Sequence, residues 1–530
     1  MSANPSLFLL EFGSYGTSLS TKRYATSPGF RTKRTETPPL AVYEPRLVDA
    51  GNADSYLFQN ATTMGYSTPG SGNVVLNNAD GALDFLQNEG QSGRDLTLRQ
   101  KTGSNYPDDF PAKFSGMVQT AQVARPRTTL TVAGRVAQIA TLPFQTVKYA
   151  GTNDGVTVFL EGTANDIAGQ PKPVLRGSAR NFPAPLVNAA ELIYQISSEP
   201  VHFVDDVYVG RSLLTPGTIH ATLVDFLAAT PVEGEYDIYL GDDLAEIGEN
   251  ERGCFIRLGS IPNLKVTVDA TEGAMSADRT FAQIMKREFT RHGFTLNEAS
   301  VVALDLECSY EVQHWQGTAE TTFNVVADDL AISIAAWWIS NIDGEFIVGR
   351  FKLPTAGEVE KTFNLKTVIG GLPKIKPIPS NDSNKGIPVY RVNLGYDQNY
   401  NLMKEADLAG VALDDLGYVS LLFRTTPAED LSVKVKHLNS PELNINTKLV
   451  HKADADAQAA YELALYSEFR PIVEIRVPTE LAGSMDLASV FRVDGKIYRT
   501  IGRRVRFPNA DKKELSTQAI TFQGWGGISG

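Results

Sequence analysis

The chain has 530 residues, too many for one hydrophobic core, and the usual domain size divides it into roughly three or four domains. Hydrophobic residues make up 42 %, enough for several cores, and 44 Gly with 28 Pro favour many turns over long helices, so a β-rich, multidomain chain is expected. A balance of 49 basic against 61 acidic residues, net −12, opposes tight non-specific binding to a phosphate backbone, and the two cysteines, Cys254 and Cys308, lack the spacing of a disulfide framework or a zinc ribbon.

At the N-terminus, the apolar run Leu7 to Leu10 is too short for a signal peptide and is followed by Glu11. The stretch to Glu36 carries Lys22, Arg23, Arg31, Lys33 and Arg34 and is expected as a strand followed by a mobile basic arm. Two short strands are expected between Ala41 and Gln59, with Gly65 to Gly72 as a turn. Asn73 to Asn77 reads as a strand, Asp80-Gly81 as its turn, Ala82 to Leu86 as one helical turn, and Asp95 to Gln100 as the next strand. Calcium at Asn78 and Asp80 is rejected, because position 76 is Leu and position 87 is Gln where a calcium loop needs oxygen ligands. Phe114 to Gln119 and Thr128 to Val132 continue the strands, and the turn Gly151 to Gly155 marks a boundary.

From Gly169 to Gly210, Pro171, Pro173, Pro183 and Pro185 punctuate a meander of short strands, at Val174 to Leu175, Leu192 to Ile196 and Val207 to Val209. A short helix at Thr218 to Ala228 precedes strands at Glu235 to Leu240, Gly253 to Leu258 and Leu264 to Asp269. Phe281, Ile284, Met285 and Phe289 fall on one helical face, capped by Ser276 or Asp278 and ended by Gly293. A second helix, about Val326 to Ala336, carries Leu330, Ile334, Trp337 and Trp338 on one face, with Asp328 and Asp329 near its positive end. The membrane-like run inside it, Ala331 to Ile339, is about half a span, so no stable membrane insertion is expected. Asp343-Gly344 turns a hairpin.

Gly370 to Ile387, rich in Pro, Gly, Ser and Asn, is expected as a linker. Beyond it come strands at Tyr390 to Tyr396, Val419 to Arg424 and Leu431 to Val435. A third helix at Asp454 to Phe469 presents Ala457, Ala460, Tyr461, Ala464 and Leu465, and Pro471 stops it. Strands at Ile472 to Val477, Val490 to Val493 and Ile497 to Ile501 follow, the last two joined by the tight turn Asp494-Gly495. The closing basic run gathers Arg499, Arg503, Arg504, Arg506, Lys512 and Lys513. A charged strand edge and a salt bridge to an acidic neighbour in an assembly are its two leading readings, ahead of nucleic acid, for which no aromatic platform interleaves. The terminal GWGGISG reads as a flexible tail.

The order PKPVLRGSARNFPAPLVN, LIYQIS, VDDVYVG between Gly169 and Gly210 resembles a motif series of the central hub proteins of bacteriophage tail baseplates. The unit from Gly72 to Gln100, GNVVLNNADGALDFL followed by GRDLTLR, resembles that family's first barrel. GCFIRLGSIPNLKVTVDA, and AWW followed by DGEFIVGR, are similar to later hub segments. The resemblance runs from about Gly72 to Trp525.

It implies a β-rich α+β, multidomain chain with two tail-tube-like β-barrels and smaller inserted α+β domains. The expected division is a first barrel over 1–165, a β-rich inserted domain over 166–275, an α+β domain over 276–385, and a second barrel with the C-terminal tail over 386–530, the barrels being open to assembly from discontinuous segments. It further implies a homotrimer whose six barrels form a pseudo-hexameric ring at the tail tip of the virion. The partners so implied are the distal tail protein and tail tube, the tape measure protein, and a central fibre or receptor-binding proteins, with the genome passing through the lumen and no sequence-specific binding to it. Arg499, Arg503, Arg504 and Arg506 are the only interaction residues singled out.

No catalytic motif is present: there is no GxSxG elbow, HExxH or Walker loop, and no cofactor or metal is expected. His202, His220, His292, His314, His437 and His451 are scattered, without metal-ligand spacing. Cys254 with His220, or Cys308 with His314, would serve as nucleophile and base only if brought together by the fold. A non-enzymatic role is expected, with two rivals: a receptor- or glycan-binding adhesin using Trp337 and Trp338, and a cell-wall hydrolase.

Overall fold

The structure is a computed structural model, describing residues 7–59, 62–65, 68–153, 160–241, 252–370, 374–506 and 519–529. Lys512 and Lys513, Gly155 at the first boundary, and parts of the Gly65 to Gly72 turn and of the Gly370 to Ile387 stretch lie outside the described residues. The chain is β-rich, with several separate sheets and short helices.

The largest sheet has fourteen strands among the described residues. Eight come from the N-terminal segment, among them Phe8–Tyr15, Leu19–Ala25, Asn52–Tyr56, Thr68–Asn77, Asp95–Gln100, Ala112–Gln122 and Arg127–Gly134. Six come from Val359 onward: Val359–Phe363, Ile375–Ile378, Ile472–Pro478, Val490–Val493, Lys496–Arg506 and Ala519–Ser529. The two sets meet where Asn52–Tyr56 pairs antiparallel with Lys496–Arg506 on one side and with Thr68–Asn77 on the other. Alternating apolar residues such as Leu96 and Leu98, or Val473, Ile475 and Val477, turn inward as period two requires. Both sets contribute to one apolar cluster. No ring of hydrogen-bonded strands closes this sheet into a barrel among the described residues.

The intervening chain builds the other bodies. A four-stranded and a five-stranded sheet share the core of Leu175, Phe182, Ile196, Ile256 and Val268. Helices Phe281–Arg291, Glu298–Glu307 and Phe323–Ile332 pack with the hairpin Ala336–Ser340 and Phe346–Arg350. The prolines of the Gly169 to Gly210 meander all lie outside strands, as their missing N–H demands. The helix over 281–291 buries Phe281, Ile284, Met285 and Phe289 as its spacing predicts; Thr280 caps it, accepting from the Gln283 N–H, and Gly293 follows with φ +78°.

Several expectations are corrected. The basic N-terminal stretch forms the hairpin Phe8–Tyr15 and Leu19–Ala25 rather than a mobile arm, with Lys22 paired to Glu89 and Arg23 to Glu11. The second helix ends at Ile332, and Ala335 at φ +54° reverses the chain so that Trp337 and Trp338 lie on a strand. Asp328 thus sits inside the helix, accepting from the Trp338 indole N–H at 2.7 Å. Strand alternation sends the tryptophans into different cores, Trp338 beside Phe289 and Phe323, Trp337 beside Ile339 and Phe351.

The expected linker is in part structured: Ile375–Ile378 is an edge strand against Ile472–Pro478, where Pro377 is tolerated, and Asp382 is buried, accepting from Thr63. Tyr390 to Tyr396 enters a separate three-stranded sheet. Val419 ends a short helix, Leu416–Val419, and Leu431–Lys436 is another, capped by Asp430, rather than either being a strand. The helix Lys452–Tyr466 buries Ala455, Gln458, Ala459, Glu462, Leu465 and Tyr466, leaving Ala457, Ala460 and Ala464 exposed. Alanine methyls bury too little area to orient a helix, whereas Leu465, Tyr466 and the Gln458 and Glu462 contacts do. GWGGISG belongs, through Ser529, to the strand Ala519–Ser529, with Trp525 buried, and is not a tail.

Candidate functional site

The seam between the two sets of strands is the most informative surface. Its strands are about 450 positions apart in sequence, and their register pairs Arg503 with Ser55, Arg504 with Asp54 and Arg506 with Asn52. Lys496–Arg506 is an interior strand, because Ala519–Ser529 covers its other side, so the charged-edge explanation of its arginines does not hold. Approach at the seam is close: a Cβ on Gly502 would lie 2.8 Å from a ring carbon of Tyr56, its partner across the seam.

Alternation divides the arginines. Arg504 and Arg506 face outward; Arg504 donates from Nε to both Asp54 carboxylate oxygens, at 3.1 and 3.0 Å, and Arg506 is exposed. Arg503 faces inward, on the same side as buried Val505, and is 5 % exposed. Arg499 is buried too, donating to the Lys352 and Ala488 carbonyls at 2.8 and 2.9 Å and to the Glu358 carboxylate at 2.9 Å. The Arg503 side chain, by contrast, makes no hydrogen bond among the described residues, and its nearest carboxylate there is Asp486 at 4.0 Å.

A cavity opens beside Arg503 where the two strand sets meet the hairpin that carries Trp337 and Trp338. Ser55, Ser115, Ser340 and Asp486 are among its walls, and it is small, about 20 Å³, with a mouth open to solvent. Sequence reading singled out Arg503 for its place in a basic run but missed Ser55, Ser115 and Asp486, which no local pattern connects to it.

The other chemistry-bearing residues are absorbed by structure. Asn78 closes its turn, accepting from the Leu83 N–H and donating to Asp84, while Asp80 is paired with Arg46, whose guanidinium holds that carboxyl down at about 2. Cys254 and Cys308 are buried and not disulfide-bonded, and burial pushes the Cys308 thiol up, away from a reactive thiolate. His314 is buried and its imidazole is pushed well below its ordinary range, while His220 contacts Asp237 at 3.0 Å. Among the described residues no group of three or more His, Cys, Asp or Glu is placed to hold a metal, and no helix is long and apolar enough to cross a membrane.

No protein-family model matches the chain, and none of the curated proteins does. The solved structures to which it is similar include a tail protein from Neisseria meningitidis MC58, at 8 % identity over 97 % of this chain and 96 % of that one, with a TM-score of 0.36. A 43 kDa tail protein of prophage MuSo2 from Shewanella oneidensis aligns at 9 % identity over 98 % and 96 %, with a TM-score of 0.38. A chain of the virion of a native gene transfer agent particle aligns at 13 % identity over 68 % of this chain and 85 % of that one, also with a TM-score of 0.38.

Proposed function

We propose that this chain is the structural hub of a phage tail baseplate, a non-enzymatic virion protein at the distal end of the tail tube. The observation that carries the reading is the seam: two β-rich strand sets, widely separated in sequence, are joined edge to edge in one chain. Two tube-like modules per subunit let three copies present six, the geometry needed to adapt a six-fold tube to three-fold parts below it. In this reading the modules are the tail-tube-like barrels implied by the motif series, and the second draws on segments distant in sequence, Val359–Phe363 and Ile375–Ile378 together with the strands from Ile472 onward. The bodies between them are the inserted domains, and the division 1–165, 166–275, 276–385 and 386–530 applies with Val359–Phe363 and Ile375–Ile378 assigned to the second module and the sheet that begins at Arg391 to the inserted bodies.

The homotrimer binds the distal tail protein and tail tube on one side and a fibre or receptor-binding proteins on the other, and its lumen passes the tape measure protein and the genome. The net charge of −12 suits a passage wall to which phosphate does not adhere. Outward-facing Arg504 and Arg506 serve contacts between subunits, while Arg499 and Arg503 act from inside the seam. The glycan-binding alternative loses its aromatic platform, since Trp337 is 7 % and Trp338 0 % exposed.

The test is the mass of the purified protein in solution together with negative-stain images of the same fraction. A trimer with a ring or cup outline is expected; a monomer that fails to associate with its tail-tube partner overturns the reading.

A further inference from the structure

Arginine is ionised at every ordinary pH, and its planar head carries five N–H donors. Burying it is costly unless those donors are used, which is why buried charges are normally paired or liganded. Arg503 departs from that rule. It is 5 % exposed, its Nε is buried without a partner, and no side chain or carbonyl among the described residues accepts from its guanidinium. Asp486 lies at the edge of ion-pair range, at 4.0 Å, and its own oxygens accept from the Ile342 and Leu487 N–H groups at 2.7 and 2.9 Å.

A second cation aggravates the imbalance. Lys113, 7 % exposed on the strand Ala112–Gln122, is a further buried cation, though it is not among the walls of the Arg503 cavity. Its ammonium group is pushed down, by burial first and by Arg503 second, with no carboxylate acting on it. Arg503 opens onto a cavity walled in part by the hydroxyl-bearing Ser55, Ser115 and Ser340, and the one carboxylate beside it is already engaged. The Arg503 guanidinium and nearby hydroxyls form the donor set that binds oxyanions in proteins, and a planar fork suits both phosphate and carboxylate.

We propose that the cavity at the seam is an oxyanion site, in which Arg503 binds a phosphate or carboxylate group with the cavity hydroxyls in support. The occupant would neutralise the buried charge and join residues from both strand sets, so that filling the site stiffens the seam. This goes beyond the hub reading and does not depend on it, since the site lies within one chain.

The experiment is calorimetric titration of the purified full chain with inorganic phosphate and, separately, with acetate, at constant ionic strength in chloride. Saturable binding of at least one anion is expected, weakened more than about tenfold in Arg503→Met, because hydrogen bonds to a charged group are worth more than one such factor. Phosphate binding alone points to a free phosphate, and acetate binding alone to a carboxylate such as that of a peptide side chain. Should Arg503→Met fail to fold, wild-type crystals soaked in selenate provide the decision, with an anomalous peak expected beside Arg503. Failure of both anions to saturate the wild type, or equal binding by wild type and Arg503→Met, overturns the proposal. Because binding is read on the isolated chain, its failure leaves the trimer test untouched.

Discussion

Arg176 and Arg503 are both buried on β-strands, 2 % and 5 % exposed, yet their surroundings differ in kind. Arg176 donates to Glu288, to Glu199 at 2.6 Å and to the Leu175 carbonyl at 2.9 Å, and Arg291 shares both carboxylates. The Arg503 side chain has one carboxylate at 4.0 Å and no hydrogen bond among the described residues. A saturated buried arginine ties a strand, Val174–Arg176, to a helix, Phe281–Arg291; an unsaturated one beside a cavity is disposed to take a ligand. The contrast teaches that burial and residue type do not separate structural from binding roles, whereas the count of satisfied donors does.

The largest expected effect comes from destroying the saturated network. Arg176→Met leaves Glu288 buried beside fewer cations and should destabilise the unit that contains it by about 3–5 kcal/mol, read as an earlier urea midpoint. An intermediate case sharpens the scale. Glu462, buried in the helix Lys452–Tyr466, has its carboxylate hydrogen-bonded, among the described residues, only by Gln458, which in turn accepts from Arg350, and burial pushes its carboxyl up to about 7. Between its ordinary value near 4.5 and about 7 the folded chain holds a proton that the unfolded chain releases, so stability falls as pH rises through that window. Glu462→Gln should remove this slope and stabilise the protein at pH 8 by an amount on the order of 3 kcal/mol, read as parallel unfolding curves at pH 5 and pH 8.

Arg503→Met should behave oppositely to Arg176→Met. In chloride buffer without oxyanions it removes an uncompensated charge and is expected to be neutral or stabilising by about 1 kcal/mol; a loss matching that of Arg176→Met would break the comparison. The smallest effect belongs to the outer face of the seam. Arg504→Ala removes a half-exposed pair with Asp54 and should cost under about 1 kcal/mol of stability in the isolated chain. A larger effect of Arg504→Ala with Arg506→Ala on trimer yield than on monomer unfolding would assign them to assembly.

Local signals were legible wherever a single segment sufficed. Asp494-Gly495 makes its hairpin with both residues at positive φ, at 51° and 70°, and the Phe281 to Phe289 face buries as spaced. The tryptophan pair, whose spacing sets it on one helical face with Leu330 and Ile334, is buried, yet on a strand instead of a helix, because a short apolar run fits either period. The helix over 452–466 was found and its buried face was not, since alanines mark no face and Glu462 and Gln458 are the wrong residues to expect inside.

By itself the sequence determined the β-rich character, the punctuation of strands by Gly and Pro, most strand positions, and the best-marked helix, all properties set within about a dozen residues. Tertiary structure alone decided that Asn52–Tyr56 pairs with Lys496–Arg506, that the C-terminal glycine-rich run through Ser529 is strand rather than tail, and that Arg503 faces a cavity while Arg504 meets Asp54. The physical reason is that strand pairing is satisfied by generic backbone groups, so nothing local to either strand names a partner hundreds of residues away; the pairing is selected by the burial of both strand sets together.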